Sequence, residues 1–155
     1  EDLGLLSLDI DGVDYWVLKA IDAYRPRILI LEYNSVFGVD RAVTVPYKVD
    51  FIRGKMHHTN LYFGASLPAL ANLADEKGYF FVGTNSAGGN AFFVRKDVFP
   101  VDLEQMEVRE GFTESKFRES RDASGNLTFL SGKSRLDAIR GMAVVNVLNE
   151  EEEQI

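Results

Sequence analysis

The chain has 155 residues, 46% of them hydrophobic and 26% charged, and a formal charge of −7. That balance suits one globular domain with a real core, and it offers nucleic acid no clustered Lys and Arg to neutralise phosphates. The absence of cysteine excludes disulfides, zinc–thiolate sites and thiol nucleophiles.

No apolar run approaches the roughly 20 residues that span a bilayer. The opening Glu-Asp-Leu-Gly lacks the basic start of a signal peptide, so a cytoplasmic location is expected. The run Leu5 to Ile10 is almost continuously apolar and predicts a strand buried on both faces, as in a parallel sheet. Gly12 breaks it. Asp14 is then placed to cap a helix whose residues Val17, Leu18 and Ile21 share one face. Pro26 ends that helix, and Ile28 to Leu31 form a second buried run. Strand, helix and strand in this span are a βαβ unit with a parallel pair.

Residues 35–60 have no clean period and read as a long irregular segment containing Pro46, His57 and His58. The adjacent histidines are expected to face solvent. Helix returns after Ser66, a fitting N-cap, with Pro68 in the first turn, a stripe of Leu67, Leu70, Leu73 and Ala74, and Gly78 as a left-handed terminator. Two β-rich runs follow, Tyr79 to Val82 and Ala91 to Arg95. The link Asn85 to Asn90 is so short that only a hairpin fits, which makes the last strand antiparallel to its neighbour.

The pattern weakens after Pro100. The expectation is therefore a partial α/β domain over residues 1–100 and an irregular extension over 101–155 that packs on or covers the sheet. The extension holds a short helix near Ser134 to Arg140 and a strand at Met142 to Val147. Its acidic end, residues 150–155, includes Glu150 to Glu153, whose mutual repulsion predicts a solvated, frayed tail.

Three constellations carry candidate chemistry. Asp9 and Asp11 close the first strand and share a side by alternation; Glu32 and Asn34 do the same for the second. Open α/β sheets bind ligands at that carboxyl edge. If the strands are neighbours, the oxygens of Asp9, Asp11, Glu32 and Asn34 converge in a set that suits Mg²⁺ rather than zinc. Capping of helices and solvation of strand ends is the bland alternative. The third constellation is the loop from Asn85 through Ser86 to Asn90, whose glycines let backbone approach a ligand closely. A plain turn explains it equally well. Tyr15, Trp16, Tyr62 and Phe63 are read as packing.

Asp9-Ile10-Asp11-Gly12 resembles the first motif of haloacid-dehalogenase phosphatases, Mg²⁺-dependent enzymes in which Asp9 would be the nucleophile and Asp11 a general acid. Gly83 to Ser86 is similar to that family's second motif. The later paired acid is missing, however, and the helix at Asp14 leaves no room for the flap.

Leu6 to Trp16 and Pro26 to Asn34 resemble the fourth and fifth strand regions of FkbM-like S-adenosylmethionine-dependent methyltransferases. Thr44 to Tyr47, Tyr62 to Leu67 and Asn85 to Val94 resemble later blocks of that group, and Phe117 to Ser120 more loosely. The resemblance covers roughly residues 3–99. It implies the C-terminal half of a Rossmann-like methyltransferase sheet, ordered strand-helix-strand-helix-strand-strand.

The strands and Gly-rich loop that hold the methionine and ribose of the cofactor do not precede Glu1, so a fragment inactive alone is expected. By resemblance, Asp9 and Asp11 face the methyl donor, S-adenosylmethionine, or the acceptor. A hydroxyl acceptor, small molecule or sugar, needs deprotonation by a carboxylate or by a metal, and Asp11 is the residue expected to do it. Glu32, Asn34, Asn85, Ser86 and Asn90 line the acceptor side. A non-catalytic binding or assembly module is the alternative. The edge of the strand at residues 5–10 is expected to be covered by a second copy, by residues after Pro100, or by a missing N-terminal half.

Overall fold

A computed structural model describes residues 3–116 and 119–155; Phe117 and Arg118, in the loosest block of resemblance, lie outside the described residues. The chain is a mixed α/β structure with two sheets, one of four strands and one of three.

Strand β1 (Leu5–Leu8), helix α1 (Asp14–Ala20) and strand β2 (Ile28–Glu32) form the expected unit, with β1 and β2 parallel and Leu8 opposite Leu31. β1 ends at Leu8 rather than Ile10. The Ile10 amide turns to Asp14 Oδ1 at 2.9 Å and Asp11 adopts φ +56°, so the chain curls out of the sheet. Asp14 is correspondingly not the cap of α1: the cap position is Val13, and the Asp14 carboxylate instead ties down Ile10 and the Gly12 amide.

The segment expected to be irregular holds β3 (Val43–Thr44) and α2 (Arg53–Met56). Helix α3 (Leu67–Glu76) starts as predicted, with Ser66 Oγ accepting from the Ala69 amide, and Gly78 follows it at φ +87°. β4 (Tyr79–Thr84) and β5 (Asn90–Arg95) are the hairpin. β5 also inserts beside β2, antiparallel to it, giving the order β1-β2-β5-β4.

The register stacks Leu29, Phe93 and Phe81 across one face, with Leu31 beside Ala91, and all are buried against Leu18, Leu67 and Leu70. The opposite face is less covered. Ile30, Phe80, Phe92 and Val94 are half-buried and Leu5 is exposed, so the strands are not buried on both faces as their apolar runs predicted.

After Pro100 the chain runs along β4, where the Met106 amide donates to the Phe81 carbonyl (2.9 Å), and then forms the short helix α4 (Val108–Gly111). That is the edge opposite β1. The described residues of the extension therefore leave the outer edge of β1, with Leu3, Leu5 and Ile10, exposed.

The rest of the extension, α5 (Lys133–Asp137), β6 (Ala143–Asn146) and β7 (Glu151–Gln154), builds a second core with β3 around Val43, Val45, Leu61, Ile139 and Val144. The acidic tail is thus a strand, not a frayed end. Opposite charges meet it: Glu153 contacts Arg41 and accepts from Asn146 Nδ2 (2.8 Å), and Glu150 pairs with Lys19 at 3.1 Å. Ile155 closes the pairing through Met142. Deleting residues 150–155 removes the β6–β7 ladder and bares this core. Urea unfolding is expected to show a loss of about 2–4 kcal/mol. An unchanged midpoint would mean that β7 contributes nothing to the fold.

Candidate functional site

Because β1 and β2 run parallel and in register, their carboxyl ends open on one edge, with Asp9 and Glu32 each following the Leu8–Leu31 pair. Asp9 and Glu32 come within hydrogen-bonding reach of each other. Burial, then the carboxylates of Asp9, Asp14 and Asp11, push the Glu32 carboxyl up to about 8, against a smaller lowering by Arg53. Its Oε2 is buried and has no hydrogen-bond partner among the described residues. Asp9 is also raised, by burial first and by Asp11 next. At neutral pH this edge therefore holds a proton, mainly on Glu32.

Asp11 leaves the strand on its left-handed backbone and its exposed carboxylate bonds Arg53 Nη1 at 2.9 Å. The loop permits this because Gly12 lies against Phe51: a Cβ at position 12 would sit 2.5 Å from that ring. Asn34 is buried and fully engaged. Its Nδ2 donates to the carbonyls of Leu61 and Phe63, both at 2.9 Å, and its Oδ1 accepts from the Val36 amide at 3.0 Å. Asn34 holds the 61–63 segment against the end of β2.

A cavity of about 190 Å³ opens here, with Glu32, Asn34, Arg53, Phe63, Asn85 and Asn90 in its wall. Asn85 and Asn90 thus join Glu32 and Asn34, while Ser86 is exposed and not among the lining residues. Asn85 Oδ1 collects the amides of Gly88, Gly89 and Asn90 at 3.0–3.2 Å, which shapes the hairpin loop. Gly88 sits at φ +75°, and a Cβ there would lie 2.6 Å from the Glu114 backbone, so the loop seats directly on the 114–116 segment. A larger cavity of about 240 Å³ lies at the other end of β2, between Tyr24, Pro26 and Tyr79, and contains none of the predicted site residues.

The cation set does not assemble. With Asp11 turned to Arg53, Asn34 Oδ1 on a backbone amide and Glu32 protonated, no group of three or more His, Asp or Glu among the described residues is arranged to hold a metal. His58 is exposed as expected, but His57 is half-buried, its Nδ1 2.8 Å from Thr59 Oγ1, and burial lowers its pKa. Tyr15 and Tyr62 are core residues; Trp16 donates to the Val45 carbonyl at 2.8 Å.

Sequence reasoning missed Arg53, Arg135 and Glu119, all in the cavity wall. They come from α2, α5 and the extension, segments without periodicity, and no local pattern marks them. Comparison of the chain with family models, curated proteins and solved structures gives no match.

Proposed function

We propose that this chain forms the acceptor side of an S-adenosylmethionine-dependent O-methyltransferase site, with Glu32 as the proton acceptor. The observation that carries the reading is Glu32 itself: a carboxyl raised to about 8, on a residue that lines a cavity at the carboxyl end of β2, with one oxygen buried and without a hydrogen-bond partner among the described residues. A proton acceptor works best when its pKa lies near the working pH.

The sheet supports the same reading, since two parallel strands followed by a final antiparallel pair are what the FkbM-like resemblance implies. So does charge. Asp9, Asp11 and Asp14 crowd this edge, and S-adenosylmethionine, which supplies the methyl group from a sulfonium, is cationic where it reacts. Asp9 fits that group by charge, whereas Asp11 is already paired with Arg53.

In this reading the acceptor hydroxyl donates to the ionised Glu32 carboxylate, and Asn85 and Asn90 orient the acceptor. Bound S-adenosylmethionine would supply the methyl group to the acceptor oxygen with loss of its carbon–sulfur bond, and Glu32 would take the hydroxyl proton. Holding the nucleophile in line supplies much of the rate. Glu32 takes the role expected of Asp11, because Asp11 is held by Arg53 outside the cavity wall.

Titration calorimetry with S-adenosylmethionine tests this. Detectable affinity that falls at least tenfold in Asp9→Asn is expected; no heat at millimolar cofactor would favour the second reading, an assembly module. That reading has its own observation: among the described residues no strand pairs with the outer edge of β1, and Leu5 is 47% exposed. Self-association measured by sedimentation would support it.

A further inference from the structure

We infer that Arg53 is the positioning residue of this site, a cation that locks the loop after β1 to the far wall of the cavity and stands in that wall beside Glu32. The inference deepens the reading of Glu32 as proton acceptor and rests on it.

The geometry is specific. The Arg53 guanidinium is fixed on three sides: Nη1 donates to Asp11 Oδ1 at 2.9 Å, Nε donates to the Asn60 carbonyl at 2.6 Å, and Cζ stands 3.7 Å from the Phe63 ring centre. Those partners belong to separate segments. Asp11 follows β1, whereas Asn60 and Phe63 flank the 61–63 stretch that Asn34 grips from β2. Arg53 also lines the cavity that holds Glu32. A planar fork with five donors and a stacking face can make all three contacts at once; an ammonium cannot.

The charges facing Glu32 are Asp9 and Asp11 from the loop after β1, Asp14 from α1 and Arg53 from α2. Across the cavity stand Glu119 and Arg135, the latter bound to Glu114 and the former to Arg121. Burial first, and then the carboxylates of Asp11 and Asp14, favour a proton on the Asp9–Glu32 pair, and Arg53 opposes them. Without it the pair would hold its proton to higher pH and Glu32 would be a poorer acceptor at neutrality. α2 supplies this residue from the irregular insertion, which gives that segment a function in the site.

The test is the midpoint of the Glu32 carboxyl ¹³C titration, read by NMR in the chain as it stands. Arg53→Gln is expected to raise the midpoint by about one unit, the low end for losing a nearby opposite charge at a partly exposed site. Arg53→Lys keeps the charge and is expected to restore most of that shift, while still perturbing the amide signals of Asn60 and Phe63. An unmoved midpoint in Arg53→Gln, or a Lys variant that behaves like Gln, overturns the inference. The measurement needs no turnover, so it fails separately from the methyltransferase reading, which cofactor binding decides.

Discussion

Replacing Asn34 by Ala is expected to cost about 3–5 kcal/mol, the largest loss from any polar side chain in the site. Asn34 is 2% exposed and makes three hydrogen bonds, two from Nδ2 to the Leu61 and Phe63 carbonyls and one at Oδ1 from the Val36 amide. Truncation leaves all three backbone groups without that partner in a place water reaches poorly, and each such orphan costs about 1–3 kcal/mol. The 61–63 segment is then held only by its remaining contacts, so Phe63 should shift beneath Arg53. Asn34→Asp should be worse at neutral pH. Its carboxylate cannot donate, and it would face two carbonyl oxygens while buried. Chemical unfolding followed by circular dichroism measures both variants. A loss below about 1 kcal/mol for Asn34→Ala would mean that another group replaces the amide, and the account of how β2 holds the cavity wall would fall.

The second large effect is a fall in stability as pH rises through the range where Glu32 ionises. Its carboxyl is raised from an ordinary 4.5 to about 8 in the fold. A folded pKa above the unfolded one means that the native state binds the proton more tightly. The stabilisation is complete below pH 4.5 and is lost as pH climbs toward 8. A shift of this size converts at about 1.4 kcal/mol per unit. Partial exposure of the carboxyl screens it, leaving about 1–3 kcal/mol between pH 5 and pH 9.

Asp9, raised for related reasons, contributes in the same direction. Glu32→Gln is neutral throughout and should flatten the profile. It should match the wild type near pH 5 and exceed it by about 1–3 kcal/mol at pH 9. Unfolding free energies at several pH values decide the matter; a wild-type profile no steeper than that of Glu32→Gln would show that Glu32 titrates normally.

Local signals and distant ones were legible to very different degrees. Helix α3 could be read almost to the residue, because Ser66, Pro68 and Gly78 act on the backbone beside them. The β4–β5 hairpin was equally plain, since a short loop leaves the chain no other route. β1 was over-read by two residues: nothing in an apolar Ile10 announces that its amide will turn to Asp14. Periodicity likewise could not say that one face of the sheet would be covered and the other left half-open.

The tail is the sharpest case. Repulsion among Glu150 to Glu153 predicted fraying, and the repulsion is real, but Arg41 and Lys19 lie far away in sequence and meet it in space, and Asn146 reaches it across the β6–β7 pairing.

By itself the sequence determined an acidic, cysteine-free α/β chain, with carboxylates and an asparagine at the ends of two adjacent strands. These features depend on composition and on neighbours a few residues apart. Only the tertiary structure decided that Asp9 meets Glu32, that Asp11 turns away to Arg53, and that β5 lies between β2 and β4. It also decided that Asn34 supports the cavity wall through hydrogen bonds. The physical reason is range: propensity acts along the chain, whereas desolvation, ion pairing and strand insertion join residues that approach one another only once the core has closed.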